Sequence, residues 1–130
     1  MNHLIDPYRV LIVDDLPTVR EALRWAFENI SDLAIVGEAD NGLMALQQAA
    51  ALRPDVVVLD IQLPKLDGYA VAQSLKALAQ PPIVIFLTIH SDDLSRRRGL
   101  AIGVDGFVEK SAGWASLIAQ IRTALDERME

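Results

Sequence analysis

No cysteine occurs among the 130 residues. That excludes thiolate catalysis, disulfide stapling and every thiolate metal site, and it fits a reducing compartment, with the cytoplasm as the expected location. Basic charge is also short: 12 lysines and arginines stand against 18 aspartates and glutamates, for a net charge of −6. Nucleic-acid affinity rests largely on cationic contacts to phosphates, so this balance opposes direct nucleic-acid binding. Long apolar runs are absent too, and none approaches the length needed to span a bilayer. The segment Met1-Asn2-His3-Leu4-Ile5-Asp6-Pro7 lacks the basic start and apolar stretch of a signal peptide. The expectation is a soluble protein with no membrane partner. There is no linker or low-complexity tract, which predicts one domain over residues 1–130, an ordered core of roughly 8–127, and no output domain. A chain of this length buries enough surface to fold without staples.

What the chain does have is a series of short apolar runs, each ending on a polar residue. Val10-Leu11-Ile12-Val13 stops at Asp14 and Asp15, Val56-Val57-Val58-Leu59 at Asp60, Ile83 to Leu87 at Thr88, and Gly106-Phe107-Val108 shortly before Lys110. Leu33-Ala34-Ile35-Val36 supplies a further run. Short continuous apolar runs suit strands covered on both faces. Between them lie segments of helical period. Val19, Leu23, Ala26, Phe27 and Ile30 share a stripe, with Pro17 suited to a first turn. Asp40-Asn41-Gly42 marks the start of a second helix with Leu46, Ala49, Ala50 and Leu52 inward. A third follows Asp67-Gly68, buries Val71, Leu75 and Leu78, and is stopped by Pro81-Pro82. The last carries Trp114, Leu117, Ile118, Ile121 and Leu125. In the fourth helical segment Arg96-Arg97-Arg98-Gly99 interrupts the period, predicting a short helix or one mobile at its start. Five β-α units with short connections predict an α/β fold, a parallel sheet with helices on both faces.

In such a sheet the polar strand ends meet on one rim. Asp14, Asp15 and Asp60 would crowd together there, and three carboxylates at close range stay ionised only if a cation joins them. Oxygen-only ligands select a hard ion, Mg²⁺ or Mn²⁺. An aspartate beside such an ion can act as a nucleophile toward phosphorus, with Lys110 as a point charge and Thr88 as a hydroxyl donor for the phosphoryl oxygens. Each residue alone has a plainer reading: an aspartate after a strand caps a helix, a threonine satisfies a turn, a lysine is solvated surface. The functional reading rests on the set.

The motifs Val10-Leu11-Ile12-Val13-Asp14-Asp15 with Pro17, Val36-Gly37-Glu38-Ala39 with Asn41-Gly42, Arg53-Pro54-Asp55 leading to Asp60, Leu63-Pro64 with Asp67-Gly68, Leu87-Thr88, and Gly103-Val104-Asp105-Gly106-Phe107 with Lys110 span nearly the whole chain. Together they resemble the receiver domains of two-component response regulators, in particular the branch that often carries a C-terminal LuxR-type helix-turn-helix. The resemblance implies a doubly wound, flavodoxin-like (βα)5 fold with a five-stranded parallel sheet of order 2-1-3-4-5. It implies Asp60 as phosphoacceptor, Asp15, Asp60 and the Gln62 carbonyl as Mg²⁺ ligands, Asp14 as a ligand through water, and Thr88 and Lys110 as the phosphoryl-binding pair. It also implies a switch through Thr88 and Phe107 that reshapes the face of the fourth helix, fifth strand and fifth helix. The partners it implies are a sensor histidine kinase or phosphotransfer protein, a downstream protein or an output domain, and a second copy of the chain. The molecule would be a phosphoacceptor that promotes its own phosphorylation and dephosphorylation, not a turnover enzyme.

Two positions, Ile89 and Ser111, depart from the family's habit. Ile89 stands where a small residue is usual and is expected to narrow access to Asp60, while His90 and Gln62 occupy positions that tune phosphoryl lifetime. Ser111 follows Lys110 where a cis-proline is frequent, so that bond is expected to be trans or the loop differently built. The Arg96–Arg98 run reads either as a solvated face or as a basic patch for an acidic partner. A metal-dependent phosphohydrolase would carry Asp-x-Asp on its first strand, which Asp14-Asp15-Leu16-Pro17 does not match. A flavin carrier would need a phosphate loop where the two carboxylates stand. A receiver-like interaction module that works without phosphorylation is the remaining alternative.

Overall fold

The computed structural model describes residues 6–89 and 92–129. Five strands, β1 (Tyr8–Val13), β2 (Leu33–Ala39), β3 (Val56–Asp60), β4 (Ile83–Thr88) and β5 (Gly106–Glu109), alternate with five helices. These are α1 (Pro17–Phe27), α2 (Gly42–Leu52), α3 (Gly68–Lys76), α4 (Asp93–Ile102) and α5 (Trp114–Met129). All strand pairings are parallel and the order is β2-β1-β3-β4-β5, as expected.

The apolar runs read as continuous because consecutive side chains enter different cores. Val10, Ile12, Val56, Val58, Ile83, Ile85 and Leu87 pack on one face with Leu23 and Phe27 of α1 and Leu117, Ile121 and Leu125 of α5. Leu11, Val13, Val57, Leu59, Val84 and Phe86 pack on the other with Ala45 and Ala49 of α2 and Val71, Ala72 and Leu75 of α3. Trp114 lies against the first core, as its place on the apolar stripe implied.

Asn41 and Asp67 cap α2 and α3, accepting from the amides of Met44 and Ala70 at 2.9 Å each. Gly68 is required by close approach: a Cβ there would lie 2.3 Å from the Asp60 carbonyl oxygen. Its amide donates to the Ile61 carbonyl at 2.7 Å, so the start of α3 is clamped to the end of β3. The Arg53-Pro54-Asp55 motif is architectural, since Asp55 Oδ2 accepts from the Arg9 amide at 2.8 Å and ties the start of β3 to β1. Asp105 does the same for β4, accepting from the Val84 amide at 2.8 Å and pairing with Lys76 at 2.5 Å.

Several helix expectations are corrected. Leu78 is exposed because α3 ends at Lys76, before Pro81-Pro82, with the Lys76 ammonium donating to the Pro82 carbonyl at 2.8 Å. Ala50 faces solvent, since α2 turns Ala45 and Ala49 to the sheet instead. Ile30 packs on the core from beyond the end of α1. α4 is not short: it has ten residues, with Asp92 as its cap accepting from the Ser95 amide at 2.7 Å. Its run of arginines is compatible with helix because α4 turns little inward: Gly99 is buried and Ile102 packs partly buried against the second core.

Candidate functional site

β1 and β3 are neighbours, so their ends bring Asp14, Asp15 and Asp60 to one place. Each offers a carboxylate oxygen, and the three lie within 4.8 Å of one another. Their environments differ sharply: Asp14 is 1% exposed and Asp60 6%, while Asp15 is open to solvent. Asp14 Oδ1 accepts from the Leu16 amide at 2.9 Å, which fixes the turn into α1. Asp60 Oδ1 accepts from the Gln62 amide at 3.2 Å.

Lys110 arrives from the end of β5, at the start of a single 3-10 turn, Lys110–Ala112. The peptide bond to Ser111 is trans, in line with the expectation for a lysine not followed by proline. The Lys110 ammonium lies 2.8 Å from Asp14 Oδ2 and 3.4 Å from Asp60 Oδ2. Burial works against its charge, but the two carboxylates outweigh that and hold its pKa above the ordinary lysine value. Burial pushes the Asp60 carboxyl up to about 6, the neighbouring Asp14 charge pushes the same way, and Lys110 opposes both.

Three carboxylates against one ammonium leave the cluster two negative charges in excess when all are ionised. The Asp14 Oδ2 contact with Lys110 is off hydrogen-bond geometry, so that buried oxygen has no hydrogen-bond donor among the described residues. A buried anionic oxygen without a donor, in an all-oxygen group of three, suits a hard dication. The residues therefore fit Mg²⁺ or Mn²⁺.

Asp15, Asp60, Gln62, Thr88, Ile89 and Lys110 line one open cleft of about 680 Å³. Ile89 is 58% exposed at this cleft. His90 falls outside the described residues. Phe107 stands apart from the cleft, half-buried, its ring edge-to-face on Phe86 with centroids 5.4 Å apart. Tyr69 also lines the cleft, unforeseen from the sequence, and so does Arg98, expected there only as part of a solvated face or a basic patch. The only signal for them was place: Tyr69 follows the Asp67-Gly68 cap, and Arg98 closes the arginine run. That run is not a uniform solvated face. Arg98 sits over the Tyr69 ring at 3.8 Å and Arg96 over Phe107 at 5.5 Å.

Among similar proteins, BvgA of Bordetella pertussis is 43% identical over 102 residues, which is 78% of this chain and 48% of BvgA. Response regulator GacA of Pseudomonas viridiflava is 34% identical over 114 residues, 88% of this chain and 53% of GacA. The chain thus spans about half the length of these relatives. The crystal structure of a LuxR-family two-component response regulator from Aurantimonas sp. superposes with a TM-score of 0.87 at 28% identity, over 94% of this chain and 87% of that one. The model of the response regulator receiver domain matches residues 10–122, from the first strand into α5. Sheet order, rim chemistry and sequence converge on one conclusion: this chain belongs to the response regulator receiver domain family.

Proposed function

We propose that the chain accepts a phosphoryl group on Asp60 from a histidine kinase or phosphotransfer protein, in a reaction that needs Mg²⁺. The observation that carries this reading is the shared position of Asp60, the ammonium of Lys110 and two further carboxylates at one cleft. With a pKa of about 6, Asp60 is mostly ionised near neutral pH and is available as a nucleophile. One Asp60 oxygen forms a bond to phosphorus, the P–N bond to the donor imidazole breaks, and the imidazole leaves with the bonding electron pair.

Asp14, Asp15, Asp60 and the Gln62 carbonyl would hold the Mg²⁺, which supplies positive charge for the transferred phosphoryl oxygens. Lys110 holds Asp60 in line and offers its ammonium to a second phosphoryl oxygen. Thr88 offers its hydroxyl from the end of β4. Phe107, packed inward on Phe86 with Arg96 over its ring, is the state from which a switch would start. Phosphorylation favours whichever arrangement gives the new oxygens better partners, so the α4-β5-α5 face would read it out to a partner.

The domain is proposed to act as a phosphoacceptor rather than a turnover enzyme, and in the cytoplasm. As the match covers only about half of each relative's length, an output unit or a protein partner would carry the response. Intact mass after incubation with acetyl phosphate and Mg²⁺ tests the reading. One added phosphoryl group on wild type and none on Asp60→Asn is expected. No addition to wild type, or addition retained in the variant, refutes it in favour of a phosphorylation-independent interaction module.

A further inference from the structure

The cleft that exposes Asp60 is short of positive charge. Its lining holds the carboxylates of Asp15, Asp60, Asp67 and Asp92, and Lys110 is drawn toward Asp14 and Asp60. A phosphodonor is itself an anion. A dication at Asp14, Asp15 and Asp60 would balance that cluster together with Lys110, but Asp67 and Asp92 still line the cleft, so the donor meets charge of its own sign on the way in, an encounter that is slow unless a cation receives it. The second cation in the lining is Arg98.

Arg98 is held in an unusual way for a surface arginine. It is exposed, and its guanidinium carbon stands 3.8 Å from the centroid of the Tyr69 ring. No carboxylate pairs with it among the described residues, whereas Arg20, Arg24 and Arg122 all have acidic partners. Contact with an aromatic face limits the guanidinium's motion but uses none of its five N–H donors, which lie in its own plane and remain free for bidentate contact with an oxyanion. Tyr69 in turn is braced edge-to-face on Phe86, with centroids 5.5 Å apart, and Phe86 is fully buried. Gly99 lets α4 come close, since a Cβ there would lie 2.8 Å from the Phe107 ring.

Resting on the reading of Asp60 as phosphoacceptor, we propose that Arg98 receives the phosphoryl group of the incoming donor, with Tyr69 as the positioning platform for its guanidinium. Arg98 thus sets how well a donor is captured, while Asp60 and Lys110 carry out transfer. The arginine run on α4 then has three distinct members: Arg96 docks on Phe107, Arg98 serves the cleft, and Arg97 has neither ring contact.

Phosphorylation of the intact chain by acetyl phosphate and by phosphoramidate, each with saturating Mg²⁺, separates capture from transfer. For Arg98→Ala the half-saturating donor concentration should rise about tenfold, the size expected for losing one charge-assisted contact, with the limiting rate unchanged. Arg98→Lys should fall between. Tyr69→Leu should resemble Arg98→Ala, and Tyr69→Phe, which keeps the ring face, should resemble wild type. Mg²⁺ affinity should be the same in all. The proposal is overturned if Arg98→Ala matches wild type, if its limiting rate falls with half-saturation unchanged, or if only acetyl phosphate responds, which would place the contact on the acyl oxygen. A wild type that takes no phosphoryl group from either donor overturns the phosphoacceptor reading and this assignment with it; normal modification insensitive to Arg98 overturns this assignment alone.

Discussion

Replacing Asp60 by asparagine should make the metal-free protein more stable at neutral pH, because the aspartate is held where its charge is unwelcome. Its pKa is raised from the ordinary 3.8 to about 6, first by burial and then by Asp14, despite Lys110. That gap corresponds to about 3 kcal/mol against the ionised form. The folded state holds the proton more tightly than the unfolded chain does. Stability therefore falls as pH rises from about 4 to about 6, and the penalty is complete and level above that window. Near pH 7.5 in EDTA, Asp60→Asn should gain about 2–3 kcal/mol; near pH 4.5, where folded Asp60 is largely protonated, the gain should shrink to about 1 kcal/mol or less. Urea unfolding followed by tryptophan fluorescence measures this, and taking the difference between the two proteins cancels the other titrating groups. Mg²⁺ at about a hundred times its dissociation constant should then add about 2.7 kcal/mol to wild type. It should add clearly less to the variant, which has lost one carboxylate. A variant less stable than wild type near pH 7.5, or a difference that does not change with pH, would refute the argument that burial and Asp14 destabilise the Asp60 charge.

Ile89→Ala should speed phosphorylation by small donors several-fold, because an exposed branched side chain is removed from the cleft lining; equal rates by intact-mass time course would count against it. Gly68→Ala should cost about 2 kcal/mol or more in urea unfolding, since its Cβ would meet the Asp60 carbonyl oxygen at 2.3 Å and overpacking against backbone is not relieved by rotamers. Gln120→Ala should cost about 1–2 kcal/mol and raise amide exchange at Phe107. It removes a side-chain amide that accepts from the Phe107 N–H at 3.2 Å and donates to its carbonyl at 3.0 Å on the outer edge of β5. EDTA should abolish the phosphoryl addition seen by mass, and restoring Mg²⁺ should recover it; addition that persists in EDTA would rule out the metal-dependent step.

The sequence by itself determined the strands and the membership of the rim, while the strand order followed only from the family resemblance. Runs such as Val56 to Leu59 are apolar at every position because the sheet is covered on both sides, so period and length were enough. Asp14, Asp15, Asp60, Thr88 and Lys110 could be gathered from far apart because parallel strands all end on the same edge. Helix phase and helix ends were less legible. Ala50 fits an apolar stripe on paper, but a helix of three turns can rotate slightly on the sheet and alanine is indifferent to which side it takes, while Leu78 fits the stripe yet lies past the end of α3. Only the tertiary structure decided how alike neighbours differ. Asp14 is buried and adjacent Asp15 exposed: Asp14, just past the end of β1, still donates its amide to the Ala39 carbonyl at 3.0 Å, and the chain turns out to solvent after it. Asp60 is driven up in pKa by a depth and a neighbour that no local pattern encodes. Arg98 became part of the cleft rather than one more solvated charge because α3 happens to present the Tyr69 ring beneath it. Pattern fixes which face of a strand is apolar, whereas charge, burial and stacking depend on distances between elements remote in sequence, and those distances exist only once the helices have docked.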